Sequence, residues 1–162
     1  MLNIVLLEPE IPQNTGNIMR TCAGTDTKLH LIKPLGFSLD EKEVKRSGVN
    51  YLEHCNYEVY EDWHDFENKN SGTYYFCENF GNKTYADFDY SDQKECIYLI
   101  FGKETTGIPK ELINKYQDNC IRIPANNKIR ALNLSNCVAI VLYEVLRQRK
   151  YPNLSYIKDT SK

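Results

Sequence analysis

Long hydrophobic runs are missing from this chain of 162 residues. No stretch approaches the roughly 18 consecutive apolar residues that a helix needs to span a bilayer, so no membrane association is expected. Met1 to Glu8 show a short apolar run with no basic leader ahead of it, which argues against a secretory signal and for a cytoplasmic protein. Charge of one sign is also missing. Twenty Lys and Arg against 22 Asp and Glu leave a formal net charge of −2, without the global positive field of a general nucleic-acid binder. Histidine is scarce at three, and the six cysteines, at 22, 55, 77, 96, 120 and 137, contain no Cys-x-x-Cys pair. A zinc ligand set is therefore absent, and no metal is expected. Several cysteines fall inside apolar segments, where a reduced thiol behaves as a small hydrophobe. Nucleotide templates are missing too. There is no Gly-x-Gly-x-x-Gly and no Gly-x-Ser-x-Gly, and Gly81-Asn82-Lys83-Thr84 misses the phosphate loop by one residue. No repeat or linker interrupts the chain, so residues 1–152 read as one domain and 153–162 as a C-terminal tail.

What is present is an ordinary globular composition, 41% hydrophobic and 26% charged. Asn3 to Leu7, Lys28 to Lys33, Thr73 to Cys77, Cys96 to Phe101 and Cys120 to Ile123 read as short buried strands. Between them, a helix is expected from about Thr15, with Ile18, Met19, Cys22 and Ala23 on one face. Asn14 is a candidate cap for it, and Asp40 for a short helix through Lys45. Pro109 suits the first turn of another short helix. The last helix carries Leu134, Val138, Val141, Leu142, Val145 and Leu146 at helical spacing, while Ile140 and Tyr143 extend apolar surface to a second side. Alternating strands and helices give an α/β fold with a mostly parallel sheet flanked by helices.

Three segments concentrate polar, glycine-bearing chemistry. Asn14-Thr15-Gly16-Asn17-Ile18-Met19-Arg20 opens the first helix and turns Arg20 away from the apolar stripe. Phe101 to Pro109 is a glycine loop holding one carboxylate, Glu104, at a strand end. Ile121-Arg122-Ile123-Pro124 is followed by Arg130-Ala131-Leu132-Asn133-Leu134-Ser135-Asn136. Each segment alone fits ordinary loop and capping chemistry; Asn133 and Ser135, for example, also suit caps of the last helix. Basic residues gather at Lys42, Lys45 and Arg46, at Arg122, Lys128 and Arg130, and at Arg147, Arg149 and Lys150, where solvated surface is the simplest reading of any one cluster.

In this order and spacing the three segments resemble the signature motifs of the SPOUT (α/β-knot) methyltransferases, specifically the SpoU branch. The resemblance runs from Leu2 through Pro9-Glu10-Ile11-Pro12 to Gln148, and is nearest to the small members acting on the wobble nucleotide of tRNA. It implies a deep C-terminal trefoil knot, an exception to the usual topology rules. It also implies S-adenosyl-L-methionine as cofactor, a tRNA anticodon loop as partner, and a homodimer. By position, Cys77, Gly102, Gly107, Ile123, Ala131 and Leu132 would hold the cofactor. Arg20, Asn14, Glu104 and Asn133 would serve catalysis, with Asn14 supporting Arg20 and Glu104 among the possible proton acceptors. Arg20, Lys45, Arg46, Arg130 and Arg147 would contact RNA. A guanidinium keeps its proton with a pKa above about 12, so Arg20 suits phosphate gripping and alkoxide stabilisation better than base catalysis. Ala131 departs from the pattern, which usually has serine there. That departure keeps open a knotted RNA-binding homologue without catalysis, and the two-faced last helix keeps open a dimerisation module. Another tRNA or rRNA site is a further alternative.

Overall fold

The computed structural model describes residues 1–39 and 54–157. Seven strands among them form one sheet: β1 (Leu2–Leu7), β2 (Lys28–Ile32), β3 (Tyr57–Tyr60), β4 (Thr73–Cys77), β5 (Lys83–Thr84), β6 (Ile97–Phe101) and β7 (Cys120–Arg122). Their order is β3-β2-β1-β6-β4-β7-β5 and every adjacent pair is parallel. Helices α1 (Pro12–Thr25), α2 (Trp63–Lys69), α3 (Lys110–Lys115) and α4 (Leu134–Gln148) cover the two faces.

Side-chain alternation divides the core. Ile4, Leu6, Leu29, Leu31, Ile97 and Leu99 point to the face covered by α1 and α4. Their sequence neighbours Val5, Leu7, Ile32, Tyr98 and Ile100 point to the other face, where Phe66 of α2 is buried and Leu112 and Ile113 of α3 pack. A parallel sheet covered on both sides needs apolar residues at successive positions, which is why β1 from Ile4 onward and β6 read as apolar runs. Tyr151 and Leu154, beyond α4, also pack on the α1–α4 side.

Two local expectations are corrected. Helix α1 begins at Pro12, whose missing N–H falls where helical N–H groups lack partners anyway. Ile11 occupies the cap position without a side-chain hydrogen bond, so Asn14 lies inside the helix and does not cap it. Arg149 is buried. Its guanidinium donates to the carbonyls of Tyr90 at 2.9 Å, Asp92 at 2.8 Å and Glu95 at 3.1 Å, so the cluster with Arg147 and Lys150 is no basic patch. The short helix expected from Asp40, and with it Lys42, Lys45 and Arg46, lies outside the described residues. No helix among the described residues is long and apolar enough to cross a membrane.

Candidate active site

Strands β6, β4 and β7 are neighbours, and the loops leaving their C-terminal ends meet around one cavity of about 590 Å³. In open α/β sheets ligands settle at this end of the strands, and the volume lies in the range of small-molecule sites, roughly 300–1,000 Å³. Cys77 and Glu78 supply the wall after β4, Gly102 to Gly107 the wall after β6, and Ile123 to Leu134 the wall after β7.

The loop after β6 is a tight hairpin. Gly107 N–H donates to the Lys103 carbonyl at 2.9 Å with Gly107 in the left-handed region at φ 71°. A Cβ on Gly102 would lie 2.2 Å from the Gly107 carbonyl carbon, so a side chain there is excluded. This hairpin is clasped to the loop after β1 from both sides. Glu104 Oε2 accepts from the Glu10 N–H at 2.9 Å and Oε1 from the Ile11 N–H at 3.2 Å. In return Glu10 accepts from the Thr105 N–H and hydroxyl, both at 3.0 Å. Lys103 adds an ion pair with Glu8 at 2.6 Å. The Glu104 carboxylate thus lies at the start of α1, where helical N–H groups favour negative charge.

The second link is a chain of carboxamides. Asn14 Nδ2 donates to Glu104 Oε1 at 3.0 Å, and Asn133 Nδ2 donates to Asn14 Oδ1 at 3.0 Å. Asn133 Oδ1 then caps α4, accepting from the Ser135 N–H at 2.9 Å, the Ser135 hydroxyl at 2.6 Å and the Asn136 N–H at 3.4 Å. One relay, Glu104–Asn14–Asn133, therefore ties all three sequence segments together. Asn14 turns its two polar ends to Glu104 and Asn133. Arg130, on the cavity wall, donates to the Thr105 carbonyl and closes the third loop onto the second.

Every residue expected at the cofactor lines this cavity: Cys77, Gly102, Gly107, Ile123, Ala131 and Leu132. Asn14, Glu104, Asn133 and Arg130 line it as well. Arg20 lies on the exposed side of α1 and Arg147 near the end of α4, both outside the lining. Arg147 forms a two-point ion pair with Glu144, 2.8 Å at each contact. Burial pushes the Cys77 thiol well above its usual range, and the neighbouring Cys137 adds to the effect, so Cys77 is a neutral wall group rather than a nucleophile. Among the described residues no cluster of His, Cys, Asp or Glu could hold a metal ion.

Residues 1–143 match the SpoU rRNA Methylase family. The chain belongs to this family. Three similar proteins extend the likeness across almost the whole of this SpoU-family chain. A tRNA (cytidine(34)-2′-O)-methyltransferase of Methylovorus glucosotrophus is 42% identical over 152 residues, 93% of this chain and 97% of that one. A crystal structure from Bacillus anthracis is 46% identical with a TM-score of 0.92, covering 97% of this chain and 100% of that one. A structure solved for work on 2-OH methylation of C/U34 on tRNA is 34% identical with a TM-score of 0.86, covering 93% and 97% of the two chains.

Sequence reasoning missed several groups at this SpoU-family site. Glu10 was part of the resemblance without a role and Glu78 was not singled out at all, yet both receive loop N–H groups, Glu10 that of Thr105 and Glu78 those of Asn79 at 2.7 Å and Ile108 at 3.3 Å. Phe80 and Ile129 line the cavity while remaining exposed, at 85% and 50%. The one available signal for Phe80 was an aromatic isolated between Asn79 and Gly81 directly after a strand.

Proposed function

We propose that this protein catalyses S-adenosyl-L-methionine-dependent methylation of the 2′-hydroxyl of the wobble nucleotide of tRNA, on cytidine and on a modified uridine. The observation that carries the reading is the single cavity into which the Glu104–Asn14–Asn133 relay draws all three signature segments. The names of the relatives at positions C34 and C/U34 support the same nucleotide. The cavity suits the cofactor because its walls offer backbone at Gly102 and Gly107 and apolar surface at Ile123, Leu132 and Leu134. When bound, S-adenosyl-L-methionine supplies an electrophilic methyl group.

The residues of the chain then bind and orient. The three loops would hold the cofactor and present its methyl group to the ribose hydroxyl, and such positioning would supply much of the rate. Arg20 grips the phosphate beside the target and stabilises charge growing on the 2′-oxygen. Glu104 already accepts three hydrogen bonds, so it positions the loops, and the proton passes to phosphate or water. Arg130 on the cavity wall contacts RNA, as does Arg147 outside the lining, and Lys45 and Arg46 belong to the same RNA-binding set. A trefoil knot formed by the C-terminal segment belongs to the same reading, as do a cytoplasmic location and a homodimer built on the exposed sides of α1 and α4. Nucleoside mass spectrometry of tRNA incubated with protein and cofactor tests the chemistry. A 2′-O-methylated nucleoside is expected, and a methyl on a base atom contradicts the reading.

A further inference from the structure

Phe80 is the most exposed large hydrophobic side chain among the described residues, at 85%. It does not sit on a loose loop end. On one side, Glu78 N–H donates to the Ile121 carbonyl at 2.8 Å, and the Glu78 carboxylate receives the N–H groups of Asn79 and Ile108. Asn79 Nδ2 reaches the Arg130 carbonyl at 3.5 Å. On the other side Gly81 lies so close to β7 that a Cβ there would be 3.0 Å from the Cys120 carbonyl oxygen. The backbone is pinned before and after Phe80, which leaves its ring presented to solvent on the rim of the cavity.

The surroundings of that ring indicate what it meets. Asn79, Asn126 and Asn127 are polar, and Arg122 and Arg130 are basic, among the residues lining the same cavity, while Glu78 is turned onto backbone N–H groups. A protein partner needs a contiguous apolar patch, and Phe80 is flanked by Asn79 and Gly81. A lone aromatic face among cations and amides matches an unstacked nucleobase on a phosphate backbone. We infer that Phe80 is the stacking platform for a base of the substrate RNA next to the nucleotide being methylated, with Ile129 as a second apolar contact at the same opening. This rests on the reading above that the substrate is an RNA loop.

The experiment compares wild type with Phe80→Ala, Phe80→Leu and Phe80→Tyr, measuring KM for tRNA, kcat, and cofactor Kd by calorimetry without RNA. In Phe80→Ala the KM for tRNA should rise about tenfold or more, as loss of one base–aromatic stack predicts. Cofactor Kd should not change. Phe80→Leu should remain impaired because it restores bulk without a π face, whereas Phe80→Tyr should return to within about twofold. Filter binding of tRNA to the same variants should follow the KM. A Phe80→Ala protein with unchanged KM overturns the platform, as does one whose loss lies in cofactor Kd. Mapping the methyl made by wild type separates the two levels. If wild type methylates a tRNA ribose and Phe80→Ala matches it, only the platform falls; if wild type leaves tRNA ribose unmethylated, both fall.

Discussion

At the scale of single residues, the site is organised by carboxylate and carboxamide groups that face protein before they face any substrate. Glu104 can satisfy the Glu10 N–H, the Ile11 N–H and Asn14 Nδ2 together because both its oxygens accept. In Glu104→Gln one of those oxygens becomes an amide donor pointed at a backbone donor. The expected loss is about 1–3 kcal/mol of stability together with weaker cofactor binding. Urea unfolding and calorimetry check this; a variant of unchanged stability and cofactor affinity that loses only kcat would make Glu104 the proton acceptor instead. Arg20 lies outside the cavity lining, and the proposed reading puts its work on the RNA side. Arg20→Ala should therefore abolish transfer with cofactor Kd nearly intact. Arg20→Lys should rescue poorly, because a point charge does not replace a two-pronged guanidinium. Single-turnover assays with calorimetry separate these outcomes, and wild-type turnover in Arg20→Ala would remove the residue from the chemistry. Ala131, where the resemblance leads one to expect serine, lies on the cavity wall among the loops proposed to hold the cofactor.

At the scale of elements, legibility in the sequence followed burial. Strands β1, β4 and β6, covered on both faces, appeared as apolar runs with nearly correct ends, and α4 appeared through its stripe. Strand β3, Tyr-Glu-Val-Tyr, lies at the sheet edge with its first residues exposed, and β5 has two residues. Neither holds enough apolar residues to announce itself. Helix α2 has seven residues and buries only Phe66, too little for a periodic signal. The relay was illegible as a relay because Asn14 and Asn133 are 119 positions apart, although each residue was singled out locally. The second side of α4 is exposed as expected, with Ile140 at 36% and Tyr143 at 48%, beside α1 on the same face of the sheet. If α1 and α4 meet their symmetry mates, Tyr143→Asp combined with Ile140→Asp should yield a folded monomer. Light scattering with circular dichroism checks this, and a wild-type protein that is monomeric at micromolar concentration and fully active would contradict the dimer.

At the scale of the whole molecule, one buried network couples stability to pH. His30 is 1% exposed between Tyr60 hydroxyl at 2.9 Å and Asn3 Oδ1 at 3.1 Å, stacked near Tyr60 and edge-on to Phe66 and Tyr98. Burial lowers its pKa from 6.5 to about 4, with a smaller push from Lys28 and an opposing one from Glu58. The unfolded chain therefore binds this proton first. The contribution is complete above pH 6.5 and is lost as pH falls toward 4, at a cost reaching roughly 3 kcal/mol. Urea titrations at pH 7, 6 and 5, with the His30 imidazole followed by NMR, should show stability falling across that window, and a flat profile would contradict the buried neutral histidine. Nothing in the sequence marked His30, because its partners arrive from β1 and β3 only in the folded sheet. The fold class was legible in the alternation of apolar strands and helices, and the lining residues named in advance came from the family resemblance, which left out Glu78, Phe80 and Ile129. The most direct test of the central claim is to incubate native tRNA with the protein and methyl-labelled cofactor, and then to map the label by nuclease digestion and mass spectrometry. The account predicts one 2′-O-methyl group on the wobble nucleotide of the anticodon loop; a label in the D-loop, in ribosomal RNA alone, or on a base atom would contradict it.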